Sequence, residues 1–192
     1  MMATEAVPAN KLWTEAELDA LPEEGFNHEV VDGELVISPK SNFEHGRICV
    51  SLMSALVPFV RGHKLGEVLD SSTGLWMRNQ NCRAPDVSFI ARARLAGIKS
   101  APRAFFRGAP DLAVEVLSPH NTRREMEARL RDYFASGSRL VWIIDPETES
   151  VEVCDSLEKR RLIGLGGELT GDPVLPGFRY PLQNLFAPWD WE

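Results

Sequence analysis

At 192 residues and 44% hydrophobic, the chain is long enough for one well-filled core and short for two, which predicts a single domain over 1–192. The N-terminus, MMATEAVPANK, lacks the apolar stretch of a signal peptide, and no apolar run approaches the ~20 residues of a membrane span, so a soluble cytoplasmic protein with no membrane partner is expected. A net charge of -7 argues against a non-specific nucleic-acid binder, and the scattered Cys49, Cys82 and Cys154 fit neither a disulfide framework nor a C-x-x-C metal knuckle, leaving them reduced, half-buried and structural.

The elements follow in order. Thr14 with Glu17 three positions on is a capping box that starts a first helix. Strands over 28–31 and 34–37 flank Asp32-Gly33, a hairpin turn signal. A second capping box, Ser41 with Glu44, opens a helix whose Ile48, Leu52, Leu56 and Val60 fall at helical spacing. Strands are expected at 66–69, 75–78, 86–90 and 111–117. Thr122 with Glu125 then starts a third helix with Met126, Leu130, Tyr133 and Phe134 on one face, ending before Gly137. Strands at 140–145 and 151–154 follow, and a Pro-rich aromatic tail over about 171–192 reads as a strap over the core or, through Trp189 and Trp191, as a dimer contact. The fold class is α/β (mixed α+β), a mixed sheet flanked by helices with a parallel crossover from Leu117 through the third helix to Leu140.

Two carboxylates stand out. Glu115 sits within Leu112-Ala113-Val114-Glu115-Val116-Leu117, a run that reads as a strand buried on both faces. An unpaired charge there costs several kcal/mol, so Glu115 needs a cation, a metal ion or a proton. Asp86 follows Pro85 at the mouth of another strand, placed to face a cleft or to serve as a turn residue. Two such acids on neighbouring strands repel unless a cation lies between them, and hard oxygen ligands select Mg2+ or Mn2+. Residues 92–131, which bracket Glu115, hold nine Arg or Lys against four Asp or Glu. They form either a solvated basic face or a local attraction for phosphate.

These residues belong to an ordered set of blocks: His28-Glu29-Val30-Val31-Asp32-Gly33-Glu34-Leu35, Ser38-Pro39 with His45-Gly46, Arg83-Ala84-Pro85-Asp86-Val87-Ser88-Phe89, Pro110 to Pro119, Tyr133 to Gly137, Val141 to Pro146, and Leu175-Pro176-Gly177-Phe178. The set resembles the Uma-two type of restriction endonucleases, a branch of the PD-(D/E)XK nuclease superfamily, over roughly residues 12–186. The resemblance implies a restriction-endonuclease-like core that hydrolyses a DNA backbone bond, with Asp86, Glu115 and the Val116 carbonyl holding Mg2+ or Mn2+ and with no organic cofactor. It also implies a homodimer, since cutting both strands of a duplex needs two sites. The superfamily lysine is displaced in that family to the position four before the tyrosine, which here is Arg129, and no lysine lies between Lys99 and Lys159. An arginine stabilises charge and cannot take a proton from water.

Four further residues carry two readings each. Glu29 is a third acid at the metal or a polar edge residue; His45, in the first turn of the second helix, contacts phosphate or serves the helix end. His120 replaces the missing base or sits in a loop, and Ser118 lies near the metal or marks a turn. The competing functions are a degenerate nuclease-fold module that binds nucleic acid or a protein partner and, less well supported, a carboxylate-pair glycosidase.

Overall fold

The structure is a computed structural model and describes residues 12–22, 26–39, 41–98, 105–119 and 121–188. A short helix α1 (Glu15–Asp19) leads into the hairpin β1 (Phe26–Val31) and β2 (Glu34–Pro39), followed by the long helix α2 (Phe43–Gly62). Next come β3 (Gly66–Asp70), β4 (Leu75–Trp76), β5 (Cys82–Arg83), β6 (Val87–Ala91), a 3-10 turn at Arg92–Leu95, β7 (Phe106–Arg107) and β8 (Leu112–Val116). Helix α3 (Arg123–Ser136) then precedes β9 (Leu140–Asp145), β10 (Ser150–Cys154), β11 (Arg160–Ile163), β12 (Glu168–Thr170), β13 (Arg179–Pro181) and α4 (Leu182–Leu185).

Among the described residues three sheets form, and the fold is mixed α+β as expected. The central sheet has the order β11-β10-β9-β8-β6-β3, and within it only β8 and β9 run parallel, joined through α3. A second sheet has the order β2-β1-β5-β4-β7, and β12 pairs with β13. The Asp32-Gly33 turn has φ of 51° and 83°, the double positive φ of a tight hairpin whose twist matches its strands.

Local signals place the helices, with one correction. Thr14 and Thr122 both close capping boxes, and Gly137 ends α3 in the left-handed conformation. Helix α2 is capped by Asn42, not Ser41: the Asn42 side chain accepts the His45 amide at 2.9 Å. Asn caps as well as Ser, so the Ser41 signal points one residue early. The strand expected at 75–78 is shorter, because the chain turns at Gln80 (φ 68°) and pairs Leu75 with Arg83.

The central sheet is covered on both faces. Ile48, Leu52, Leu56 and Val60 of α2 pack with Leu112, Val114 and Val116 of β8 and with Trp142. Leu175, Phe178, Leu182, Leu185 and Phe186 from the tail join the same cluster; Trp189 and Trp191 lie outside the described residues. On the opposite face Leu130 and Tyr133 of α3 pack on Ala113, Val141 and Ile143. Helix α2 is 20 residues long with a mean hydropathy of 1.2 over an 18-residue window, so by length and composition alone it is long and apolar enough to cross a bilayer, although Glu44, His45 and Arg47 interrupt its apolar run. Its apolar face is instead the one that fills the core. All three cysteines are free and fully buried, not half-buried.

Candidate active site

Strand register brings the two carboxylates together. The β6–β8 ladder ends at Val87 and Val114, so Asp86, just before β6, lies beside the end of β8 that carries Glu115. Asp86 Oδ2 accepts the Val116 amide at 2.7 Å, tying the mouth of β6 to the end of β8. Because side chains alternate along a strand, Leu112, Val114 and Val116 face α2, and Glu115 points with Ala113 towards α3.

Glu115 is only 6% exposed and is held by two side chains of α3. The Tyr133 hydroxyl donates to Oε1, and Arg129 Nη1 approaches the same oxygen at 3.4 Å. Arg129 and Tyr133 lie four residues apart on one helical face, which is why both reach it. Burial, with help from the charges of Asp86 and Glu29, raises the Glu115 carboxyl to about 7 against the pull of Arg129 and Tyr133. Burial and the neighbouring carboxylate push the Tyr133 phenol well above its usual range, so it stays a donor.

Arg129 is not a free cation. Its fork grips Glu29 at 2.7 and 2.9 Å, and Glu29 also accepts the Ala84 amide at 3.0 Å and Arg83 Nη1 at 3.2 Å. Arg83 in turn grips Asp132, with Nε at 2.7 Å and Nη2 at 2.6 Å. Asn79 and Asn81 complete Asp132 at 2.7 and 3.0 Å. The result is a buried chain of alternating charge, Glu115-Arg129-Glu29-Arg83-Asp132, between the two sheets. Although burial opposes it, the charges of Glu115 and Glu29 raise Arg129 well above the usual arginine range, so it remains charged.

Asp86 has a different neighbour. His45 Nε2 lies 3.1 Å from Asp86 Oδ2, and its Nδ1 lies 3.6 Å from Cys49 Sγ. Burial lowers the imidazole pKa, but the hydrogen bonds to Asp86 and Cys49, with the Asp86 charge, outweigh it and raise it to about 10, so His45 is protonated at neutral pH. His45, Cys49 and Asp86 have ligating atoms within 4.8 Å of one another. The ring turns opposite edges to the cysteine and the carboxylate, an arrangement that suits an imidazolium donating at both nitrogens better than a shared ion.

All six residues expected at the site, Glu29, His45, Asp86, Glu115, Val116 and Arg129, line one cleft of about 530 Å3. A larger hollow of about 990 Å3 beside Trp13, Trp76 and Phe105 contains none of them. Among the described residues, Asp86 Oδ1 and Glu115 Oε2 accept no protein hydrogen bond. Two unspent carboxylate oxygens on one cleft are a donor set that fits a hard divalent cation.

Some readings of the sequence resolve here. Glu29 is buried in the charge chain rather than being an edge residue. Ser118 binds Asn121 through its amide and hydroxyl at 2.8 and 3.0 Å, which is the turn role, and His120 lies outside the described residues. Of the basic stretch, Arg94 and Arg129 are spent on Asp111 and Glu29, whereas Arg92, Arg107, Arg123, Arg124 and Arg131 are exposed. Asp132 escaped the sequence reading, Arg83 entered it only as a member of a family block, and Tyr133 only as a core residue and family marker.

A family model described as Uma2, putative restriction endonuclease, matches residues 15–183. The chain belongs to the Uma2 family. Among solved structures it is similar to a putative nuclease belonging to DUF820 from Anabaena variabilis, at 19% identity and a TM-score of 0.77, covering 91% of this chain and 97% of that one. That likeness establishes a shared fold. No curated protein matches. Within the Uma2 frame, the position where the resemblance expects lysine is the arginine that Glu29 holds in a two-point grip, a contact a lysine ammonium cannot reproduce.

Proposed function

We propose that this protein is a metal-dependent DNA endonuclease that works as a homodimer, with Asp86, Glu115 and the Val116 carbonyl holding Mg2+ or Mn2+. The observation that carries the reading is the convergence of Asp86 and Glu115, from adjoining strand ends and each with an oxygen unspent among the described residues, on one cleft with Arg129 and His45. A bound divalent ion would offset charge on the scissile phosphate and lower the pKa of the attacking water. The protein's own groups do the rest. Arg129 favours the ionised form of Glu115 against the burial that holds its carboxyl at about 7 even with that pull. Tyr133 and the Val116 amide fix one oxygen of each acid, aiming the others at the cleft. His45 holds Asp86 from the α2 side and, already protonated, does not serve as base.

Plasmid nicking tests the reading. Wild type with Mg2+ or Mn2+ should relax supercoiled DNA, EDTA should stop it, and Asp86→Ala and Glu115→Ala should each abolish it; undiminished cleavage in both variants removes the site assignment. A second reading is favoured by the engagement of Arg129 with Glu29: a degenerate module that keeps the fold and binds nucleic acid. It predicts duplex binding with a steep salt dependence and no cleavage by wild type under any metal.

A further inference from the structure

A second polar hollow, about 310 Å3, lies at the other end of α3 and is lined by Arg78, Arg94, Arg107, Trp76 and Ser136 among others. Glu125 in the first turn of α3 borders the cleft and Ser136 is the last residue of the helix, so helical rise separates the two places by roughly 16 Å.

The hollow is furnished with donors. No Asp or Glu is among its described lining residues. Arg94 is fixed by the Ala109 carbonyl, by Asp111 at 3.3 Å and by the Phe106 ring 5.2 Å away. Arg107 lies over the Trp76 ring at 5.9 Å and pairs through Nη2 with Glu15. The Arg78 guanidinium has no hydrogen bond or ion pair among the described residues. The buried Ser136 hydroxyl accepts the Arg78 amide at 3.1 Å, but its own proton meets no acceptor among them. Glu15 and Asp111 thus answer three arginines, leaving one cation unbalanced. Guanidinium groups pre-set by stacking and backbone contacts, together with an unspent hydroxyl, call for a ligand that only accepts hydrogen bonds and carries negative charge.

We propose that this hollow binds a phosphate group. Only the source of that phosphate rests on the nuclease reading. Duplex DNA carries one phosphate per 3.4 Å of axis on each strand, so a duplex engaged in the cleft and running along α3 would bring backbone phosphates of one strand or the other near the hollow, about five base pairs away. The other source is a free phosphate or a small phosphate ester.

The test uses the double variant Arg78→Ala/Arg107→Gln, whose altered side chains are exposed, with thermal unfolding to confirm the fold. Calorimetric titration of wild type with inorganic phosphate at constant ionic strength, against chloride, should show saturable binding that weakens about tenfold or more in the variant. In a second arm, binding of a short duplex is measured against salt in Ca2+; two lost phosphate contacts should shallow the slope of log K on log salt by about two. A shallower slope, with or without phosphate binding, assigns the site to the nucleic-acid backbone. Phosphate binding with an unchanged slope assigns it to a small phosphate ester. No difference between variant and wild type in either arm overturns the proposal. Failure of wild type to cleave DNA would sink the nuclease reading and leave the phosphate titration to decide this one.

Discussion

One strand serves two unlike faces of the central sheet. On the α2 side, Leu112, Val114 and Val116 of β8 enter an apolar cluster with no charged member. On the α3 side the same strand offers Ala113 to packing and Glu115 to a chain of charges that runs to Asp132. The apolar face depends on volume, and its errors stay local. The charged face depends on partners, so removing one member strands the next.

Arg83→Met should break the charged face most severely. It leaves Glu29 and Asp132 buried without their shared cation, at a cost of roughly 3–5 kcal/mol in urea unfolding. Leu52→Ala on the apolar face should cost a comparable 2–5 kcal/mol, roughly, through transfer and cavity effects. The two should differ in what else moves: Arg83→Met changes the pH profile of the Glu115 neighbourhood, and Leu52→Ala leaves it alone. Equal changes would mean that the two faces are not separate systems.

The next effect is linkage to pH in metal-free protein. Glu115 is raised from 4.5 to about 7, so the folded state binds more protons than the unfolded state between those values, and stability falls as pH rises through that window. The full shift corresponds to about 3 kcal/mol at most. His45, raised from 6.5 to about 10, contributes stability that is complete below 6.5 and lost as pH rises towards 10. Both slopes have one sign but occupy different windows. Glu115→Gln should flatten the acid one and His45→Asn the alkaline one; a stability curve that either variant leaves unchanged contradicts the corresponding contact.

What the sequence disclosed follows the range of the interactions. Thr14, Thr122, Gly137 and the Asp32-Gly33 turn act within a few residues, so their signals are local and the elements they bound were legible. The charged outlier in an apolar run gave away Glu115, and strand alternation with helical spacing gave the crossover that carries Arg129. Arg83 was not legible, because its partners Glu29 and Asp132 lie 54 and 49 residues away and no periodicity links them. Tyr133 hid for the opposite reason: its ring fits the apolar stripe, and its hydroxyl's partner is visible only once α3 lies on β8. Strands β11 to β13 are short and lack alternation, so pairing alone defines them.

Arg129→Lys probes the departure from the family pattern at a smaller scale. A lysine at this position offers a point charge where Glu29 now meets a planar fork, so it should lose about 1–2 kcal/mol of stability. DNA cleavage should fall with it. A faster enzyme would instead show that the position still performs the displaced lysine's task and that the grip on Glu29 is dispensable.

The smallest change separates tuning from packing. Tyr133→Phe keeps the buried ring and removes one donor to Glu115, at a cost of about 1 kcal/mol. With that donor gone, the neutral carboxyl gains ground and the Glu115 pKa should rise above about 7. A cation that uses this carboxylate must then displace a proton more often, so Mn2+ affinity measured by calorimetry should fall most at pH 6 and recover towards wild type at pH 8. An equal loss at both pH values would mean that the hydroxyl fixes the position of α3 and leaves the acidity of Glu115 untouched.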